Sequence, residues 1–206
     1  MKGRFITFEG VEGCGKSTQI ALLRQHIESR GRAVQVTREP GGTVISEAIR
    51  ELLLNPEHTA MGSTTELLLY AAARAQHVHE RIRPAIEAGT VLLCDRFADS
   101  TIAYQGYGRG LPLETLGRLH ELAAAGIRPD LTLVIDVPVE EGLSRARNRG
   151  RSDRLEQEAL DFHERVRQGF LQLAEQEPQR IKIVNGIQSV EDVATAILGH
   201  VDALGV

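Results

Sequence analysis

The chain is poor in cysteine and lysine, lacks any long apolar run and carries no excess of positive charge. Its two cysteines, Cys14 and Cys94, have neither the CxxC spacing of a metal or redox site nor the density of a disulfide scaffold. That excludes both classes and points to a reducing compartment, the cytoplasm. No apolar stretch approaches the roughly 18 residues that span a bilayer, and Lys2 and Arg4 lead only into the short run from Phe5 to Phe8, so neither a membrane nor a secreted protein is expected. Basic residues number 24 against 28 acidic ones, a formal charge of −4. This argues against non-specific nucleic-acid binding and leaves room for a small anionic ligand in a local basic pocket. Lysine occurs only at positions 2, 16 and 182; the preference for arginine fits a GC-rich genome and makes Lys16 stand out.

What is present is the composition of a folded domain, 42% hydrophobic and 25% charged over 206 residues. No repeat, low-complexity tract or linker divides the chain, so one domain over 1–206 is expected. Short β-rich runs at 4–8, 33–37, 90–94, 131–136 and 180–184 read as five strands. Helical periodicity fills 17–30, 43–54, 64–88, 112–124, 140–148, 157–177 and 190–204, each long enough for a crossover between parallel strands. Runs that are continuously apolar predict strands buried on both faces, hence an α/β, doubly wound parallel sheet between helices with functional residues at the strand carboxyl ends.

Directly after the first strand, Gly10-Val11-Glu12-Gly13-Cys14-Gly15-Lys16-Ser17 matches GxxxxGK[ST] in the strand, loop and helix context that the motif needs. Glycines let the backbone wrap so that its N–H groups converge on phosphate oxygens. The helix opening through Ser17 and Thr18 offers its positive end, Lys16 neutralises the β and γ phosphates, and Ser17 ligates Mg²⁺. The loop assigns ATP or GTP binding without saying where the γ-phosphate goes.

Further candidates follow at the other strand ends. Asp95-Arg96 closes the third predicted strand, where an acid can hold the metal or its water and an arginine can reach a second phosphate; a structural strand-end pair is the alternative. Arg38 stands in the turn Thr37-Arg-Glu-Pro-Gly-Gly-Thr43. Tyr70 and Arg74, four residues apart, share a helix face that suits a nucleobase or simply packs a core. Ser100, Thr101, Tyr104 and Gln105 offer hydroxyls, a phenol and an amide shortly after Arg96. Five arginines and one aspartate crowd Arg145-Ala-Arg-Asn-Arg-Gly-Arg-Ser-Asp-Arg154, a segment suited to an anion.

Taken in order, the loop with Glu12 inside it, the Arg38 turn, Tyr70-Ala-Ala-Ala-Arg74-Ala-Gln76, Asp95-Arg96-Phe97, Tyr104-Gln105-Gly106, Arg128-Pro-Asp130 and Asp153-Arg154-Leu-Glu156 resemble the bacterial thymidylate kinase family over nearly the whole length. The resemblance implies a P-loop NTPase three-layer sandwich with a five-stranded parallel sheet and a short arginine-rich lid at about 145–157. It also implies a homodimer and Mg²⁺-dependent transfer of the ATP γ-phosphoryl group to dTMP, giving dTDP for dTTP synthesis. By that resemblance ATP lies on Gly10 to Thr18. Tyr70 stacks on thymine, Arg74 meets its exocyclic oxygen, Ser100 and Thr101 approach the base, and Arg38 and Arg96 hold the acceptor phosphate. Glu12 is directed to the sugar 3′-hydroxyl, Tyr104 and Gln105 flank the sugar, and Asp95 acts through Mg²⁺ and its waters. Gly13 replaces the loop arginine of one family branch, so transition-state charge is expected from the lid, from Arg149 and Arg154 with Arg145 and Arg147 as helpers or structural pairs. The family more often has Phe at Tyr70, and the added hydroxyl needs a partner or water.

Other patterns are set aside. His77 and His79 point to different sides of a helix and make poor joint metal ligands. The sequence Asp202-Ala-Leu-Gly205 lies after every strand, and no NKxD is present, which removes a GTP-dependent switch. The closer rival is another nucleotide or nucleoside kinase on the same fold.

Overall fold

The computed structural model describes residues 3–148 and 153–206. Five strands, β1 (Arg4–Glu9), β2 (Val34–Arg38), β3 (Val91–Asp95), β4 (Leu131–Asp136) and β5 (Ile181–Asn185), form one parallel sheet in the order β2-β3-β1-β4-β5. The central strands β1, β3 and β4 are buried almost throughout, as their apolar runs predict. The edge strands differ. Gln35, Val36 and Arg38 of β2 and Ile183 of β5 are exposed, because an edge strand has a helix over only part of its surface. Register aligns Phe8 and Arg38 with Asp95, so the carboxyl ends of three strands open at one rim.

Side-chain alternation then divides the core. Ile6 and Phe8, Val91 and Leu93, and Leu131, Leu133 and Ile135 face α1 (Lys16–Ser29), α7 (Val139–Arg147) and α9 (Val190–Asp202). The opposite face carries Phe5, Leu92 and Cys94 against the helical turn Val78–Ile82, α4 (Arg83–Glu87) and the end of α6 (Leu113–Ala124), with α2 (Val44–Leu54) packed on α3 (Ser63–His77). On the same face Val134 and Ile181 meet α8 (Leu160–Gln176). These are the three layers.

Two helical features go beyond the periodicity. The expected helix at 64–88 is α3 and α4 joined through a π-helical turn, Val78–Ile82. After β3, a short α5 (Ala98–Thr101) runs into a second π-helical segment, Ile102–Gly108, where no helix was expected. A π turn inserts a residue and rotates the following side chains, and such turns collect at functional sites. The helix expected from 157 begins at Leu160, since Asp153 turns the chain first by accepting from the backbone N–H groups of Leu155 and Glu156.

Candidate functional site

The loop between β1 and α1 takes its shape from glycine. Gly15 caps α1 in a left-handed conformation (φ 100°), and Gly13 has φ +70° with space for a Cβ denied by the Gly142 carbonyl oxygen. An arginine at position 13 would therefore collide with α7. Lys16 Nζ donates to the carbonyls of Gly10 (3.1 Å) and Val11 (3.0 Å) and to Cys14 Sγ (3.3 Å), which holds the ammonium over its own loop. Ser17 and Thr18 stand exposed at the start of α1.

On one side of this loop opens a cavity of about 260 Å³, lined by Glu12 to Ser17 and, across from them, by Tyr70, Arg74, Arg96, Tyr104 and Gln105. Its centre is Glu12, whose Oε1 accepts from Tyr104 Oη at 2.5 Å and from Arg96 Nη2 at 3.2 Å. The Arg96 guanidinium also lies 4.9 Å from the centre of the Tyr104 ring, a cation–π contact. Burial alone would raise the Glu12 carboxyl, but His163, Arg96 and Tyr104 outweigh it and hold the group well below the usual carboxylate range. Glu12 is thus a fixed negative charge beside a fixed positive one.

A second buried network forms the far wall. Arg74 Nε donates to Glu39 Oε2 at 2.8 Å, and its Nη2 donates to the Phe97 carbonyl and to Thr101 Oγ1. His77, fully buried, sits with Nδ1 3.0 Å from Glu39 Oε1 and Nε2 2.6 Å from Thr37 Oγ1. Arg74 and Glu39 come from α3 and from the end of β2, so the pair ties helix to sheet and leaves the guanidinium one direction.

On the other side of the loop lies a cavity of about 280 Å³, lined by Gly13 to Gln19, Arg145, Gly186, Gln188 and Val190. The P-loop stands between two cavities, a geometry for two ligands that meet across a phosphate chain.

The thymidylate kinase family model matches residues 8–197. The thymidylate kinase of Geotalea uraniireducens (strain Rf4) is 55% identical over 205 residues, spanning 97% of this chain and 96% of that one. The chain belongs to the thymidylate kinase family. The thymidylate kinase of Pseudomonas putida (strain GB-1) is 52% identical over 204 residues, covering 99% of this chain and 95% of the relative. A crystal structure of thymidylate kinase from Ehrlichia chaffeensis superposes with a TM-score of 0.80 at 32% identity, covering 97% of this chain and 98% of the other. The five-stranded α/β fold and its class, a kinase that binds nucleotides, are those expected from the residues.

Within this thymidylate kinase frame, the expected residues divide. Tyr70, Arg74, Arg96, Ser100, Thr101, Tyr104 and Gln105 converge on the first cavity. Arg38 does not join them. Its side chain is exposed, pairs with Glu47 Oε2 at 2.9 Å and lines an open groove with Arg24 and Arg81, because Thr37 takes the inward position at this end of β2. Arg50 of α2 lines the cavity instead, held by a 2.8 Å bond from Nη1 to the Pro40 carbonyl oxygen. Burial, then the neighbouring Arg38, pushes Arg50 below the usual arginine range. An arginine within an amphipathic helix gives no sequence signal of this; only its place after the Arg38 turn hints at it.

The lid arginines divide too. Arg154 is buried, not poised over the loop: Nε donates to the Leu53 carbonyl at 2.8 Å and Nη2 to Glu66 Oε2 at 2.6 Å. Glu66 also accepts from Gln105 and Arg109, so one carboxylate gathers three donors that a linear sequence keeps apart. Arg145 pairs with Glu141 on α7 beside the second cavity, and Arg147 lies in the last turn of that helix. Arg149 falls outside the described residues.

Asp95 Oδ1 is buried without a hydrogen-bond partner among the described residues, and Asp95 and Ser17 line the same cavity. A hard oxygen left unpaired beside a P-loop hydroxyl fits Mg²⁺, which is held by one or two protein oxygens and otherwise by phosphate and water. No group of three or more His, Cys, Asp or Glu forms an all-protein metal cage among the described residues.

Proposed function

We propose that the protein transfers the γ-phosphoryl group of ATP to dTMP, giving dTDP, as one cytoplasmic domain acting with Mg²⁺. The observation that carries this reading is the cavity in which the P-loop, Glu12 to Ser17, faces Tyr70, Arg74, Arg96 and Gln105. ATP enters from the side of Arg145 and Gln188 and lays its phosphates on the N–H groups of Gly13 to Thr18. Lys16 exchanges its carbonyl bonds for phosphate oxygens. Tyr70 stacks on thymine, Arg74 meets its exocyclic oxygen with Ser100 and Thr101 close by, Glu12 is directed to the sugar 3′-hydroxyl, and Tyr104 and Gln105 flank the sugar. Arg96, joined by Arg50, grips the acceptor phosphate, while Arg38 remains available from the rim.

The acceptor phosphate is already a nucleophile near neutral pH, so the protein needs no strong base. Positioning and charge do the work. Asp95 and Ser17 would hold Mg²⁺, which when bound neutralises charge on the transferring phosphates. Arg149 is assigned the positive charge that assists transfer, and exclusion of water keeps it from accepting the phosphoryl group.

A homodimer accords with the adjoining helices α2, α3 and α6, which leave Val44, Ile45, Leu52, Leu68 and Leu122 exposed. No helix among the described residues is long and apolar enough to cross a membrane.

The test is an ADP-release assay with ATP and Mg²⁺ that presents dTMP, dUMP, dCMP, dGMP, AMP and thymidine separately. Turnover on dTMP well above the rest is expected, with slow ATP hydrolysis in its absence. Turnover on thymidine and not dTMP would overturn the phosphate roles of Arg96 and Arg50.

A further inference from the structure

Arg96 carries the acceptor-phosphate role from a backbone conformation that a non-glycine residue rarely holds, with φ at 69°. Such a conformation persists only where surrounding contacts outweigh its cost. Three contacts do so. The Arg96 N–H donates to the Phe8 carbonyl at 2.9 Å, the Phe97 N–H donates to Glu9 Oε1 at 2.7 Å, and Glu9 Oε2 shares a 2.5 Å hydrogen bond with Ser100 Oγ. The same Ser100 Oγ accepts from Arg96 Nη1 at 3.2 Å. Glu9 therefore grips both the residue after Arg96 and the hydroxyl on which the guanidinium rests. It is fully buried and does not line the cavity, so it does not touch substrate.

We propose that Glu9 is a positioning residue for the phosphoryl-transfer reaction, clamping the left-handed turn at the end of β3 and thereby aiming Arg96 at the acceptor phosphate. The inference rests on the assignment of Arg96 to that phosphate. The groups that face Glu9 are Arg96 and Cys94 from the end of β3, Asp99 from α5, itself paired with Arg180, and Glu12 from the P-loop through Arg96. Burial and then Asp99 push the Glu9 carboxyl up to about 8. Near neutral pH it is the protonated acid: Oε1 accepts from Phe97, Oε2 shares its hydrogen with Ser100 Oγ, and no second carboxylate is added beside the Arg96–Glu12 pair. Above about pH 8 the acid ionises and sets a second carboxylate beside Arg96, in competition with the phosphate.

Glu9→Gln reproduces the neutral acid, its amide oxygen accepting from Phe97 and its NH₂ donating to Ser100. The experiment is the pH profile of kcat/KM for dTMP, with KM for ATP measured alongside, on the full chain. The Gln variant is expected within about threefold of wild type at pH 7, and to lack the alkaline decline, approaching tenfold per pH unit, that wild type shows above about pH 8. Glu9→Ala leaves the Phe97 N–H unpaired and is expected to raise KM for dTMP about tenfold or more while KM for ATP stays put. Superposable pH profiles of wild type and Glu9→Gln, unchanged dTMP kinetics in Glu9→Ala, or a folded Glu9→Gln that fails as badly as Glu9→Ala at pH 7 would each overturn the clamp. A wild-type protein inactive on dTMP at every pH would instead bring down the kinase reading beneath it.

Discussion

The two sides of the P-loop are built differently. On the side proposed for the donor, one contiguous stretch, Gly13 to Gln19, makes most of the lining, and Arg145, Gly186, Gln188 and Val190 join it. On the side proposed for the acceptor the lining residues come from the ends of β2 and β3, from α2 and α3, and from a π-helical turn, and many are pinned by a partner: Glu12 by Tyr104 and Arg96, Arg74 by Glu39, Gln105 by Glu66. Phosphate chains are recognised by a repeating backbone donor, which a short glycine-rich segment supplies alone. A particular base and sugar need side chains fixed at several angles, which only long-range packing supplies.

Breaking one side should leave the other intact. Arg96→Ala should lower kcat/KM for dTMP by about 10³ while KM for ATP moves only a few fold, checked by steady-state ADP release. Arg149→Ala should lower kcat by about 10³ with little change in KM for dTMP. Equal losses toward both substrates in both variants would erase the distinction between the walls.

The pinned wall should cost stability as well as activity. Arg74→Met leaves the buried Glu39 with His77 at Oε1 but no cation at Oε2 and should destabilise the fold by about 3 kcal/mol in urea unfolding. Arg154→Met should act in the same direction, by about 1–3 kcal/mol, because the buried Glu66 loses one of its three donors and keeps Arg109 and Gln105, and it should lower kcat far less than Arg149→Ala does. A collapse of kcat in a stable Arg154→Met protein would return Arg154 to the transition state.

The smallest expected effect lies behind the acceptor wall. Burial, then Arg74, pushes His120 from 6.5 down to about 4, so the folded protein keeps it neutral where the unfolded chain takes a proton. That contribution is complete above pH 6.5 and lost as pH falls toward 4, about 1–2 kcal/mol after allowance for partial exposure. His120→Asn should flatten the fall in melting temperature across this window; an unchanged slope would separate His120 from the network around Arg74.

Much of this was legible before any fold was seen. The alternation of apolar runs and helical periods sets a parallel α/β sheet, and GxxxxGK[ST] marks the glycine-rich turn between β1 and α1, because both depend on contacts within a few residues of chain. Boundaries moved by a residue where hydrogen bonding, not composition, ends a strand, as at Val34–Arg38. The π-helical segment Ile102–Gly108 left no periodic trace, since its inserted residue breaks the helical repeat that carries the signal.

Sequence by itself determined the nucleotide-kinase class, the sheet and, through motifs in family order, most of the residues that line the first cavity. Tertiary structure alone decided that Arg38 turns outward and Arg50 inward, that Arg154 is anchored by Glu66, and that Glu9 stands behind Arg96. Local rules say which residues an arginine or carboxylate can meet in principle. Which of them it meets is settled by burial, where an unpaired charge is too costly to leave and the nearest partner lies tens of residues away in the chain.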